Sequence, residues 1–364
     1  MDQTPQSAGN QPPPTPAQVV PQPPPQPPRK RFPWARLVAV LLASVLVFSL
    51  LANVMLLGIV GLTCGESEPR VQEKFFSHQK DATDKVAILS IEGAILAGEG
   101  FFKRQIDRAI KEAKEGHLKA VVVRVNSPGG TMTGSDYMYH HLCRLKEETG
   151  IPLVVSMGAM AASGGYYVSM AVGDTRRAIF AEPTTWTGSI GVIIPHYDIS
   201  ELLKTYGVRQ DSIVSRPLKG MGSMTRPMTE EERGIFKELV DQAFNRFKTV
   251  IKEGRPRLKE GPKSLEDLAT GQVFTADQAK EYKLIDEIGF IEDAVDRAIE
   301  LAGLDRNNVC VVKYKPEPTL ASILLGVGSR SQPALDLSAL LEATAPRAYY
   351  LCTWLPPIVS SAKP

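Results

Sequence analysis

The chain has 364 residues, of which 43% are hydrophobic and 23% charged, and its formal net charge is +2. That length and apolar content support one or two globular domains with a core, which excludes a fully disordered protein. The charge balance shows no basic excess, so no nucleic-acid partner is expected. The four cysteines lie far apart without a CxxC pair, which indicates neither a zinc site nor a dense disulfide framework and leaves one disulfide open.

The N-terminal segment has a biased composition. Its first 28 residues hold 11 prolines, 6 glutamines and a single charge, that of Asp2. Such a composition cannot bury apolar area, so we predict that residues 1–28 form a disordered tail. A solvated tail is the simplest interpretation, and a segment that binds a proline-recognition module is the alternative.

A long apolar run follows this tail. Residues 37–62 carry no charge, and at about 1.5 Å per residue a helix of that length exceeds a hydrocarbon core about 30 Å thick. We therefore predict a transmembrane helix over 37–62. A cleaved signal peptide is the alternative, although the apolar region of a signal peptide is usually shorter. The sequence "GLTC" at Cys64 is a weak match to a lipoprotein signal. By the positive-inside rule, the N-terminus is cytoplasmic and the rest of the chain lies on the periplasmic side, because four basic residues precede the span: Arg29, Lys30, Arg31 and Arg36.

Beyond a predicted connector over 63–85, short β-branched runs alternate with helix-like segments. The runs "VAILSI", "AVVVRV" and "PLVVSM" are apolar at nearly every position rather than at every second one, which indicates an α/β core buried on both faces. A threonine followed by Glu232 predicts a capping box and a long amphipathic helix over 229–251. We place the globular domain at 86–315 and a loosely patterned C-terminal tail at 316–364.

Two short motifs have the residue types of a catalytic site. The segment "NSPGGT", residues 126–131, follows one predicted strand and precedes a helix. Glycines at such a turn let backbone N–H groups point outward beside a helix N-terminus, as in an oxyanion hole. The segment "AASGGYY" places Ser163 between the next strand and a helix. Taken alone, the first motif is also compatible with a tight turn and the second with a helix cap.

A serine nucleophile needs a base that accepts its proton. None of the five histidines has a local catalytic signature, and we interpret His140 and His141 as structural or exposed residues of a surface helix. His196 is the only reasonable imidazole base for Ser163. A desolvated neutral lysine can perform the same step.

Several motifs, in order, resemble those of the signal peptide peptidase A family. These are membrane-anchored serine proteases with a Ser-Lys dyad, related in fold to the caseinolytic (Clp) protease and crotonase superfamily. The similarity spans about residues 86–302 and includes "RVNSPGGT", "AASGGYY", "TGSIGVI", "SRPLKGMGSMTRPMTEEE" and "GQVFTADQAKEYKLIDEIG". It implies a repeated ββα spiral core, no metal or cofactor, and these site residues: the nucleophile Ser163, the base Lys219 and the oxyanion donors Gly130 and Gly164.

The chain departs from that family at Arg216, Met224 and Gln272, where members more often have Gly, Pro and Arg. These differences affect loop detail and substrate preference more than the dyad. One catalytic unit implies the short form of the family, in which serine and lysine meet across neighbouring subunits of a homo-oligomeric ring. The implied substrates are remnant signal peptides and other short apolar peptides near the membrane.

Several interpretations remain open at this point. The C-terminal tail is predicted to lie in or near the substrate groove and to be trimmed by the enzyme itself, or to pack on its own oligomer. The pair Tyr166–Tyr167 is interpreted as core packing, with a groove wall as the alternative. A Clp-like protease that uses His196, a crotonase-like acyl-CoA enzyme and a non-catalytic membrane ring scaffold are the alternative functions.

Overall fold

The computed structural model of the protein describes residues 34–64, 70–317 and 349–351. The chain divides into two compact units, with the boundary after Cys64. The proline-rich tail and most of the C-terminal tail lie outside the described residues, so the prediction of disorder at the N-terminus stays a prediction.

The first unit contains one long helix, α1, over Trp34–Cys64. Its segment Leu37–Met55 has a mean hydropathy of 2.6, and none of this segment is buried. By length and composition this helix can cross a membrane, in agreement with the apolar helix predicted over 37–62.

The second unit is built on a mixed sheet. Its strands are β1 (Val71–His78), β2 (Lys85–Glu92), β3 (Leu118–Ser127), β4 (Gly129–Thr131), β5 (Leu153–Ala162), β6 (Ile179–Ala181), β7 (Trp186–Gly188), β8 (Val273–Thr275), β9 (Glu287–Ile288), β10 (Cys310–Pro316) and β11 (Tyr349–Leu351). The main sheet has the order β1-β10-β2-β3-β5-β6-β9, and β7 joins β5 to β8. Strand β1 is antiparallel to β10, whereas the pairs from β10 to β9 are parallel. Strands β4 and β11 form a separate pair.

Helices cover this sheet and connect its strands. They are α2 (Phe101–Lys114), α3 (Met132–Thr149), α4 (Gly164–Ser169), α5 (Ser200–Thr205), α6 (Glu230–Gly254), α7 (Leu265–Leu268), α8 (Ala276–Glu281) and α9 (Ile291–Leu301). Short 3-10 helices lie at Met170–Val172, Pro217–Gly220, Pro256–Glu260 and Arg306–Asn308. The order β3, β4, α3 is a strand–strand–helix unit, and the predicted α/β class is confirmed.

Strand β3 shows why the central strands are apolar at most positions. Val121 and Val123 belong to one apolar cluster, which includes residues of α2 and α3. Ala120 and Val122 belong to a second cluster, which α9 covers. Because side chains alternate across a strand, helices on both faces leave no exposed face for polar residues.

The long helix α6 begins as its sequence predicts. Thr229 Oγ1 accepts a hydrogen bond from the backbone N–H of Glu232 at 3.2 Å, and Glu232 Oε2 accepts one from the backbone N–H of Thr229 at 3.0 Å. This reciprocal pair is a capping box, which satisfies two N–H groups that have no partner within the helix. The helix extends to Gly254, slightly beyond the predicted end at residue 251.

Two predicted boundaries are wrong. The range 63–85 is not only a connector, because β1 lies within it and pairs with β10 along the edge of the sheet. The resemblance also implies a strand segment over "TGSIGVI", residues 187–193, but this strand ends at Gly188. The next residue, Ser189, has a φ of 50°, which takes the chain out of the extended region.

Candidate active site

The first two glycines of the site, Gly129 and Gly130, begin β4 directly after the turn that follows β3, and this segment is called the glycine turn below. Gly129 has a φ of 97°, a conformation that favours glycine, and its N–H donates to Ser127 Oγ at 3.1 Å. On one edge of β4, Ile95 N–H donates to the Gly129 carbonyl at 2.9 Å, and Thr131 N–H donates to the Ile95 carbonyl at 2.7 Å. Because these groups alternate along a strand, the N–H of Gly130 points to the opposite edge.

Ser163 lies at the junction between β5 and α4, in a strained backbone conformation. Its φ is 52° and its ψ is −113°, values that a non-glycine residue adopts only when its surroundings impose them. The backbone is fixed on both sides, because Ser163 N–H donates to the Gly188 carbonyl at 2.7 Å and Tyr167 N–H donates to the Ser163 carbonyl at 2.8 Å. The side chain is 1% exposed, and Ser163 Oγ forms no hydrogen bond with the described residues.

The fold brings the serine and the glycine turn together. A Cβ atom built on Gly129 would lie 2.7 Å from the Gly164 nitrogen and 3.1 Å from the Ala162 carbonyl oxygen, the atoms that flank Ser163. A Cβ atom on Gly164 would lie 3.2 Å from the Gly130 nitrogen. The predicted nucleophile and both predicted oxyanion donors therefore share one small region, in which only glycine allows the backbones to approach so closely.

Lys219 is in a different environment. It is exposed in the 3-10 helix Pro217–Gly220, and no hydrogen bond joins it to Ser163 in the described part of the chain. Arg226 fixes the end of this loop, since its Nη2 atom donates to the Gly220 carbonyl at 2.9 Å and also bonds to Glu232. The Arg226 guanidinium and the Thr229 N–H lower the pKa of Glu232 to about 2. The loop is thus tied to the start of α6, while the lysine side chain is exposed.

The histidines do not complete a dyad with Ser163 within one described chain. His196 Nε2 is buried and forms no hydrogen bond with the described residues, including Ser163. His141 is buried on α3, where its ring contacts Tyr137 edge-on at 4.2 Å, and burial lowers its pKa. Its neutral ring therefore packs as part of the structure, which agrees with the interpretation of His141 as structural.

A segment of the C-terminal tail lies beside the glycine turn. Strand β11 is antiparallel to β4, with Tyr350 opposite Gly130. The Tyr350 carbonyl oxygen would lie 2.1 Å from a Cβ atom on Gly129, so it lies close to the Gly164 nitrogen as well. The Tyr350–Leu351 peptide bond is therefore near the backbone that flanks Ser163.

The Tyr350 side chain is fully buried in an aromatic pocket. Its ring stacks on Tyr167 at 5.1 Å and contacts Phe247 at 4.7 Å, and its hydroxyl donates to the Ala243 carbonyl at 2.9 Å. The Tyr167 hydroxyl in turn bonds to Asp136. The sequence does not predict this pocket, because its residues come from three separate helices, α3, α4 and α6. The only signal in the sequence is the pair of tyrosines in "GGYY".

The two adjacent tyrosines have different roles. Tyr166 donates its hydroxyl to the Leu284 carbonyl at 2.9 Å inside the core, as core packing requires. Tyr167 faces the tail instead. Both side chains are fully buried, as the core-packing interpretation predicts, and a groove wall at Tyr167 stays a prediction.

Comparison with known proteins identifies the family. The model of Peptidase family S49 matches residues 146–305. The chain is 34% identical to Putative protease slr0021 of Synechocystis sp., over 71% of this chain and 89% of that protein. It is also 34% identical to Putative signal peptide peptidase SppA of Enterococcus faecium, over 66% of this chain and 70% of that one. The chain belongs to peptidase family S49.

Other similarities are more partial. The chain is 33% identical to Protease 4 of Salmonella typhi over 67% of its own length, but it covers only 39% of that protein. Among solved structures, a variant of the 1510-N membrane-bound stomatin-specific protease matches 65% of this chain and 100% of its own, with 18% identity and a TM-score of 0.39.

Proposed function

We propose that this protein is a membrane-anchored serine endopeptidase in which Ser163 is the nucleophile and Lys219 the general base. The observation that carries the proposal is the position of Ser163. It lies on a strained turn with a buried hydroxyl that has no partner in the described chain, beside the N–H groups of Gly130 and Gly164. A family of peptidases, matched over the segment that contains both residues of the dyad, supports the same reaction.

The reaction is an acyl transfer. The neutral amine of Lys219 takes the proton of Ser163, and Oγ attacks the carbonyl carbon of the peptide substrate. The negative charge that forms on the carbonyl oxygen is stabilised by the N–H groups of Gly130 and Gly164. The lysine ammonium then protonates the leaving amine, and a water molecule repeats the sequence to release the acid and free the serine. No step needs a metal or a cofactor.

The two residues of the dyad come from neighbouring copies in this proposal. Ser163 is buried without a partner, whereas Lys219 is exposed on its own chain. The loop around Lys219 also exposes apolar side chains that a neighbouring copy would cover, among them Tyr206, Ile213 and Val214. Burial of the loop between copies would favour the neutral amine that a base requires. The enzyme is therefore a homo-oligomeric ring.

A mixing experiment tests this arrangement. We expect Ser163→Ala and Lys219→Ala each to abolish peptide cleavage alone, and an equal mixture of the two variants, assembled together, to recover about a quarter of wild-type activity. In that mixture, one interface in four combines an intact serine with an intact lysine. Cleavage of a fluorogenic apolar peptide provides the measurement.

The outcome separates the competing bases and assemblies. If folded mixtures recover no activity, the dyad does not form between copies. If Lys219→Ala retains activity and His196→Ala loses it, histidine is the base, as in Clp-like proteases. If none of the variants affects an activity that wild type supports in cells, the protein is a scaffold.

The membrane location of this reaction is also a proposal. Helix α1 is long and apolar enough to cross a membrane, and basic residues cluster on its N-terminal side. With the N-terminus in the cytoplasm, the catalytic domain lies on the periplasmic side, where remnant signal peptides and other short apolar peptides are accessible. The similarity to a relative from Enterococcus faecium named as a putative signal peptide peptidase supports this substrate class.

The same site acts on the C-terminal tail in this proposal. The pairing of β11 with β4 and the buried Tyr350 support a tail that occupies the substrate groove as an extended strand. We expect the active protein to shorten its own C-terminus during incubation, with the cut between Tyr350 and Leu351, and Ser163→Ala to keep its full length. Intact-mass spectrometry measures both, and an unchanged mass of active protein contradicts self-trimming.

A further inference from the structure

Helix α1 carries three polar side chains within its most apolar segment. They are Ser44, Ser49 and Asn53. The Ser44 hydroxyl donates to the Val40 carbonyl at 2.8 Å, within its own helix. A hydroxyl bonded in this way is compatible with a lipid environment, so Ser44 needs no partner outside the helix.

Asn53 is satisfied only in part. Its Nδ2 atom donates to the Ser49 carbonyl at 2.7 Å and lies 3.4 Å from Ser49 Oγ. The side-chain amide has two donor hydrogens and an acceptor oxygen, and among the described residues no donor bonds to Asn53 Oδ1. The side chain is exposed on the helix. In hydrocarbon, no water is present to complete these bonds, so an exposed amide at this depth favours a partner in the membrane.

The polar pair lies on a defined face of α1. Residues four apart share one side of a helix, so Ser49 and Asn53 face the same direction. Leu46 and Leu42 lie on the same face towards the N-terminus of the helix, at spacings of three and four residues. These spacings are the repeat of two helices that pack as a left-handed pair. Ser44 is nine residues from Asn53, and nine residues correspond to two and a half turns of a helix. Ser44 therefore lies on the opposite face.

We infer that α1 of one copy packs against α1 of a second copy along this face, with the Asn53 side chains hydrogen-bonded to each other. The inference rests on the proposed membrane anchor. The partner is a second copy because a carboxamide is both donor and acceptor, so two identical amides complete each other. Copies that insert in the same direction also hold Asn53 at the same depth, and one asparagine at such a position fixes the register of a helix pair.

Photo-crosslinking of the full chain in lipid vesicles tests the inference. A benzophenone amino acid replaces Leu46, on the proposed face, or Phe48, on the far side, in purified protein reconstituted in phosphatidylcholine–phosphatidylglycerol vesicles. We expect covalent dimers from position 46 and several-fold fewer from position 48. Asn53→Leu is expected to weaken the association, and with it the dimer yield from position 46, about 3- to 30-fold. Ser44→Leu, the matched polar-to-apolar control, is expected to leave that yield unchanged.

The outcomes separate this inference from the proposed function. Retention of the protein in the vesicles after alkaline extraction is measured first, and release would overturn both the anchor and the helix pair. The helix pair alone is overturned if the protein is retained but forms equal amounts of dimer from positions 46 and 48. It is also overturned if Asn53→Leu does not change the dimer yield from position 46. Peptide cleavage by the same samples reports separately on the proposed catalytic function.

Discussion

Ser163→Ala is expected to lower kcat for peptide cleavage by about a thousandfold or more, with the fold unchanged. In the proposed mechanism the substitution removes the atom that attacks the substrate, so the N–H groups of Gly130 and Gly164 alone would give only residual acceleration. Wild-type Ser163 Oγ is buried without a hydrogen-bond partner in the described chain, so its removal should not lower the melting temperature. Steady-state kinetics and thermal unfolding measure the two effects.

The matched control is another buried serine in the same helix. Ser169 Oγ donates to the Gly165 carbonyl at 2.8 Å and lies away from the glycine turn. Ser169→Ala should therefore cost some stability and leave kcat close to the wild-type value. If Ser169→Ala and Ser163→Ala reduce cleavage equally, the loss reflects damage to α4 and Ser163 is not the nucleophile.

Gly130→Ala is expected to lower kcat by about 10²- to 10³-fold, the usual cost of an oxyanion donor. An added Cβ atom would lie 1.9 Å from the Ile95 carbonyl oxygen and 2.6 Å from the Ile95 nitrogen. These backbone atoms are held by hydrogen bonds to Gly129 and Thr131, so they cannot move aside as a flexible side chain would. The added Cβ atom can be accommodated only if β4 shifts. In the proposed mechanism, that shift moves the Gly130 N–H away from the carbonyl oxygen that it would stabilise.

A second glycine provides the control for this substitution. Gly234 lies in α6 with open space around the position of a Cβ atom and without a positive φ. Gly234→Ala should keep full activity and stabilise the protein by about 0.5–1 kcal/mol, because alanine favours the helix. Full activity of Gly130→Ala with a normal melting temperature would show that β4 does not hold the oxyanion donor.

The features that sequence predicts well are those that local chemistry determines. The capping box of Thr229 and Glu232 needs only neighbouring residues, and it forms as predicted. The apolar runs of β2, β3 and β5 indicate strands between two helical layers, because any polar residue there would lose its hydration. The turn with Gly130 and the turn with Ser163 are also visible as motifs, although only the fold shows that they lie side by side.

The features that sequence does not predict depend on distant segments. Strand β1 alternates weakly in polarity, since it lies at an edge of the sheet, and only its pairing with β10 defines it. The aromatic pocket around Tyr350 combines residues more than 100 positions apart. Lys219 is exposed on its own chain, so neither the sequence nor the described residues show what surrounds its amine; the contact with a neighbouring copy belongs to the proposed function.

The shortness of β4 has a consequence for what the enzyme leaves intact. This strand spans three residues, and one of its edges is already bonded to Ile95. Its other edge can pair only with a polypeptide in an extended conformation, as the segment Tyr349–Leu351 does. A helix or a folded domain has its backbone groups paired internally and cannot offer them to this edge. If substrates bind along this edge, as the proposed function requires, folded proteins nearby are protected by their own secondary structure and the enzyme needs no separate gate.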